Sequence, residues 1–266
     1  MAQQRHYPVL LEWGPQGARR AAERRDAVFI IDVLSFSTAS VTACSYYGRV
    51  FVASNETEFQ VLQQQSSYRF QTFNLFHFVY NSGLRRHVHG AEDRELDDQD
   101  AFVMPRNIGS LCTKIAAHAY AAAIVNAKAC ADLIVDFIQQ DIDHIGGVTL
   151  LMCGDFYPAI AHPYFTPDYV FFVEDQLGAG AILSYLPDNI SLTADGLAAK
   201  AVFESARGDL KNWIFKAIGP RADKEQECLE HSISLDLYDF VSFLSEGCYW
   251  DTPDVVLDRV AKERSL

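Results

Sequence analysis

Apolar positions in this chain gather in short runs, and segments of helical period separate them. Ala27 to Asp32 (AVFIID) is a continuous apolar run closed by one carboxylate, the pattern of a parallel strand covered on both faces. Residues 37–47 read as a helix closed by Gly48, and RVFVA at 49–53 reads as the next strand. Asn55, with Glu58 three residues on, is a capping-box start for a helix to about Gln65. Strands are expected at 100–104 (DAFVM), at 121–127 (AAAIVNA) and in GGVTLLMCGD, ending near Cys153. Helices are expected between them, over 110–120 and 128–140. Beyond a proline-bearing loop, residues 170–186 read as a helix entered through Glu174 and Asp175, followed by helices over 193–207, 210–218 and 223–231.

Strands and helices in alternation predict an α/β protein with three layers, α/β/α, around a mostly parallel or mixed central sheet. At 266 residues, 49% of them hydrophobic, the chain can bury a large core, and it is read as one domain over 1–266 with a helix-rich C-terminal part at 193–266. Residues 66–99 break the pattern by mixing aromatics, histidines, a basic patch and an acidic run. They are expected to form an irregular insertion or a lid, with one strand near 75–80, and His87 and His89 read as solvated loop.

Charge narrows the function classes. A formal net charge of -13 opposes a phosphate-backbone partner, so nucleic acid is excluded as an expected ligand. No apolar stretch is long enough for a membrane helix, and the first residues, MAQQRHYPVLLEWG, lack the pattern of a signal peptide. The expectation is a soluble cytoplasmic protein without a membrane partner. The 6 cysteines are widely spread with no Cys-x-x-Cys pair, which fits small buried hydrophobes better than a zinc cage or a disulfide framework.

In open α/β sheets ligands bind beyond the carboxyl ends of the strands, so the residues after each apolar run are the candidates. They are Asp32 with Ser35, Ser37 and Thr38; Asn107, Gly109 and Ser110; Gly154 and Asp155; and Glu174 with Asp175. Helix N-termini with hydroxyls and glycine suit an anion, and carboxylates beside an anion call for a divalent cation; oxygen-only ligation favours Mg2+. The chemistry implied is Mg2+-assisted handling of a small phosphorylated acid, with Asp32 and Asp175 as catalytic candidates. Asp32, Asp155, Glu174 and Asp175 are the candidate metal ligands, and Ser35, Ser37, Thr38, Asn107, Gly109 and Ser110 the candidate substrate contacts. Each also has a plain structural duty open to it, as a cap, a turn former or a first-turn acid.

These pieces resemble a known family. Asp32-Val-Leu-Ser-Phe-Ser-Thr38 is similar to the Asp-x-Leu-Arg-Ala-Thr-Ser/Thr opening of the 2-phosphosulfolactate phosphatases. Asn107-Ile-Gly-Ser110 resembles their Asn-Gly-Ser/Thr loop, Asn126-Ala-Lys-Ala-Cys-Ala131 their Asn-Ala-x-Ala-Val-Ala segment, and Cys153-Gly-Asp155 their Ala-Gly-Glu. Glu174-Asp-Gln-Leu-Gly-Ala-Gly-Ala-Ile182 is similar to their Glu-Asp-x-x-x-Ala-Gly-Ala-Ile helix start, the most specific match. The resemblance implies an α/β/α fold, Mg2+-dependent hydrolysis of 2-phosphosulfolactate, a place in coenzyme M biosynthesis, and a homodimer. Ser35 departs from it, standing where the family has an arginine, and the loss of a phosphate-gripping guanidinium opens an alternative: an impaired member that binds an anion or small metabolite.

Overall fold

The computed structural model describes residues 9–47, 49–53, 55–65, 69–72, 100–104, 107–116, 118–140, 145–156, 169–218, 226–245 and 248–250. It begins with a strand and a helix that the hydrophobic pattern does not announce, β1 (Val9–Trp13) and α1 (Gly14–Arg24). Pro15 in the first turn of α1 suits a helix start, where its missing N–H costs nothing, and Arg25 closes the helix in the left-handed region at φ 59°. Then come β2 (Ala27–Ile31), α2 (Phe36–Tyr47), β3 (Arg49–Val52), α3 (Glu56–Gln65), β4 (Arg69–Thr72) and β5 (Asp100–Met104). Beyond them lie α4 (Ile108–Ile115), β6 (His118–Ala122), α5 (Ala127–Gln140), β7 (Val148–Met152) and the short strands β8 (Asp155–Phe156) and β9 (Tyr169–Val170). The described chain continues through α6 (Val173–Ser184), α7 (Ala194–Ala206), α8 (Leu210–Ile218) and α9 (Gln226–Ser232) to β10 (Ser242–Ser245) and β11 (Cys248–Trp250).

Among the described residues the main sheet has nine strands in the order β1-β7-β2-β6-β10-β11-β3-β5-β4, and β8 pairs with β9 in a separate ribbon. β1, β7, β2 and β6 are mutually parallel, as are β3, β5 and β4. Between these groups β10 is antiparallel to β6, β11 to β10, and β3 to β11, so the two parallel groups run in opposite directions. The expected three-layer α/β/α fold with a mixed sheet is therefore observed. β2 sits inside the first group, and all five of its side chains are buried because its neighbours and the helices on both faces cover it.

One apolar cluster joins Phe29, Ile31, Leu150 and Met152 to α5, α6 and α7; the other joins Val28, Ile30 and Leu151 to α1, α2 and α4. Successive β2 side chains thus serve opposite layers, as strand geometry requires.

Several expected boundaries move. The strand expected at 121–127 lies at 118–122, and the helix before it stops at Ile115. Asn126 explains the early end: its Oδ1 accepts from Ala123 N at 2.9 Å, while Nδ2 donates to Ala121 O and Phe240 O, each at 3.2 Å, folding the chain into a turn. The helix expected from 170 starts at Val173, because Tyr169–Val170 pairs with β8. The strand expected near 75–80 and most of the expected insertion or lid at 66–99 lie outside the described residues.

Candidate functional site

Parallel register sets the site. Ile31 is paired with Met152, and Met152 with Trp13, so the residues that follow, Asp32, Cys153 and Gly14, emerge side by side at one sheet edge. Cys153 N donates to Ile31 O at 2.8 Å, continuing the ladder one step past the strands.

Asp175, in the first turn of α6, closes this edge from above. Its Oδ1 accepts from Val33 N at 3.0 Å and its Oδ2 from Gly154 N at 2.8 Å, so one carboxylate ties the loop after β2 to the loop after β7. Gly154 is in the left-handed region at φ 63°, and a Cβ there would collide with Val170 O; only glycine lets the β7 loop pass so close to β9. Asp175 is 3% exposed. Burial pushes its carboxyl well above the usual carboxylate range, and the nearby charge of Asp32 raises it further; the Val33 N–H works against this, Glu174 adds to it, and the Gly154 N–H opposes it.

Asp32 is half-buried and belongs to a polar chain at the surface. Asn107 Nδ2 donates to Ser35 Oγ at 2.8 Å, and Ser35 Oγ donates to Asp32 Oδ2 at 3.2 Å. The Ser35 hydroxyl therefore bridges two other expected site residues.

The remaining hydroxyls, expected at the substrate, are engaged elsewhere. Ser37 Oγ donates to Ile30 O at 2.6 Å and accepts from Asp32 N at 3.1 Å, and Thr38 Oγ1 donates to Val33 O at 2.5 Å; both residues are fully buried. They shape the strand-to-helix turn that presents Asp32. Ser110 is likewise buried in a reciprocal cap: its Oγ accepts from Asn107 N and its N donates to Asn107 Oδ1, each at 2.9 Å. Gly109 lies against Phe36, where a Cβ would stand 2.5 Å from the Phe36 side chain. These residues position Asp32 and Asn107 and do not themselves face the crevice. Glu174, 7% exposed, sits beside Asp175 in the first turn of α6, where a negative charge is favoured by the helix dipole. Asp155 opens β8 next to Gly154, and its side chain lies outside the described residues.

Among the described residues, no group of three or more His, Cys, Asp or Glu could hold a metal ion. A preformed cage is thus lacking there, but Mg2+ characteristically takes one or two carboxylates and completes its shell with waters and substrate oxygens. The carboxylates fit that mode: Asp32 and Glu174 both raise the proton affinity of Asp175, and a cation would relieve this repulsion.

A cavity of about 330 Å³ opens on the β1 side of the pair, lined by Trp13, Pro15, Gln16, Cys153, Val170 and Phe171 among the described residues. Trp13 and Phe171 touch with ring centroids 4.6 Å apart and form one aromatic wall. The sequence reading missed both. The strand-end rule points at Trp13 once residues 9–13 are known to be a strand; Phe171 carries no local signal.

Compared with known proteins, the chain matches no family model and no curated protein. No helix among the described residues is long and apolar enough to cross a membrane.

Proposed function

We propose that this edge is the active site of a Mg2+-dependent phosphoric monoester hydrolase acting on 2-phosphosulfolactate or a similar small phosphorylated acid. The observation that carries the reading is the meeting of Asp32 and Asp175 beyond adjacent parallel strands, one half-exposed and the other buried and pinned by two backbone N–H groups.

In the net reaction a water oxygen bonds to phosphorus, the ester P–O bond breaks, and the departing alkoxide takes a proton, giving the hydroxy acid and inorganic phosphate. Bound Mg2+ would supply charge neutralisation at the phosphoryl oxygens, and Asp32 with Glu174 would hold it, one or two carboxylates being its usual share of protein ligands. Asp32 is the carboxylate that meets the substrate. Ser35 fixes its orientation by donating to it directly, and the Asn107 amide holds Ser35 in place by donating to its hydroxyl. Asp175 acts mainly as a positioning group, because each of its oxygens already accepts a backbone N–H. The reading includes a cytoplasmic location, supported by Cys44, Cys112, Cys130, Cys153 and Cys228, which are buried and in no disulfide, and a homodimer, which sedimentation would test.

Phosphate release from a panel of phosphorylated hydroxy acids, with and without Mg2+, tests the proposal. Mg2+-dependent release that disappears in Asp32→Asn is expected. No release from any ester, together with no Mg2+ binding by calorimetry, overturns it. A second reading, an anion-binding protein without turnover, is favoured by Ser35 in place of a guanidinium; binding of the esters without release would select it.

A further inference from the structure

The cavity beside the carboxylate pair is ill suited to the substrate that the resemblance implies. A sulfonate keeps its charge and hydration, and the described lining offers it an indole, a phenyl ring, a proline, a valine and a thiol, with Gln16 the only polar side chain. Cys153, 1% exposed, closes the floor of the cavity. Phe171 is 51% exposed, an unusual state for a large apolar ring that lines a cavity.

The cavity and the carboxylates are neighbours along the chain, and Asp32, Glu174 and Asp175 stand outside its described lining. Cys153 is its floor, and the next residue, Gly154, donates to Asp175; Phe171 is its wall, and the same segment enters α6 and reaches Asp175 within its first turn. β1, which supplies Trp13, is separated from β2, which delivers Asp32, only by β7, so the wall and Asp32 lie about 10 Å apart at the usual strand spacing. That span matches a phosphoryl group at one end of a small molecule and a ring at the other. A volume of about 330 Å³ suits a group of that size.

We propose that this cavity takes an aryl group of the substrate, so that the chain hydrolyses phosphate monoesters of aryl-bearing hydroxy acids and Trp13 and Phe171 determine specificity. The inference rests on the phosphomonoester reading of the neighbouring carboxylates. It places the ring on the exposed face of Phe171 with its edge toward Trp13, where an offset or edge-on contact is favoured.

The test compares the phosphate esters of 3-phenyllactate and lactate, and 2-phosphosulfolactate, in the intact chain, alongside binding of unphosphorylated 3-phenyllactate by calorimetry. The expected result is a kcat/KM about tenfold higher for the aryl ester than for the lactate ester. In Phe171→Ala that ratio falls toward one and 3-phenyllactate binding weakens about tenfold, while Phe171→Leu gives an intermediate ratio. An unchanged melting temperature in both variants assigns the loss to the cavity. A parent enzyme that prefers 2-phosphosulfolactate, or a ratio indifferent to both substitutions, overturns the inference. If no ester is hydrolysed but 3-phenyllactate binds and Phe171→Ala weakens it, the hydrolase reading fails and the aryl site stands. If esters are hydrolysed and 3-phenyllactate does not bind, the hydrolase reading stands and the aryl site fails.

Discussion

Asp175 carries two opposing energies, and the balance between them is measurable. Its buried charge is unfavourable next to Asp32, but the carboxylate is acceptor-only and meets two N–H groups that water cannot easily reach. Asp175→Ala removes the charge and leaves both donors unpaired, at roughly 1–3 kcal/mol each, so a net loss of about 2 kcal/mol is expected in urea unfolding with the m value unchanged. Ser35 poses the complementary question. It is exposed, so Ser35→Arg can add a guanidinium beside Asp32, and under the hydrolase proposal a severalfold lower KM for a phosphate ester is expected in steady-state assays. His231 lies away from the crevice, with Nε2 2.9 Å from Thr42 Oγ1, and burial lowers its pKa from the usual 6.5. The unfolded chain therefore binds this proton more readily, and the contribution of neutral His231 is complete above pH 6.5 and lost as pH falls through the lower folded value. Denaturation midpoints between about pH 5 and 7 should fall with acid in the parent, and less steeply in His231→Gln.

At the scale of elements, α6 sets the position of Glu174 and Asp175, and α7 sets the position of α6. A Cβ at Gly180 would collide with Ala199 O of α7 and stand 2.6 Å from Phe203 Cβ. Ala199 O is backbone and cannot move aside alone, so Gly180→Ala should cost about 1–3 kcal/mol in thermal or urea unfolding and displace the acidic turn at the site. The Ala-Gly-Ala run of the most specific motif is accordingly a packing signature, legible in sequence while its cause is not. What sequence reveals follows the same division elsewhere. AVFII is recognisable because a strand covered on both faces has no polar positions; VLLEW is not, because Glu12 interrupts it for the sake of Arg20 and Arg24 on α1. Alanine-rich 118–127 has no preference strong enough to place the end of β6, which pairing with β2 and the Asn126 turn decide. Ser37, Thr38 and Ser110 are visible as hydroxyls near a strand end, but their direction depends on carbonyls within the turn.

On the scale of the whole molecule, the mutual parallel pairing of β1, β7, β2 and β6 gathers their carboxyl ends at one edge, and no local pattern encodes it because it depends on which strands pair. The site there lies within a chain of net charge -13. The proposed substrate, a phosphorylated acid, is itself an anion, so under that proposal protein and substrate repel at long range, and screening should assist their encounter. Raising KCl from about 10 to about 150 mM should increase kcat/KM for the ester severalfold, the reverse of an electrostatically steered enzyme. Mg2+ at constant ionic strength separates the two roles of a cation: a further rise that saturates marks binding at Asp32 and Glu174, whereas a response equal to that of KCl marks screening alone. A kcat/KM that falls with KCl would mean that a local positive field outweighs the net charge, and the substrate would then be held by cations instead of by a metal between carboxylates.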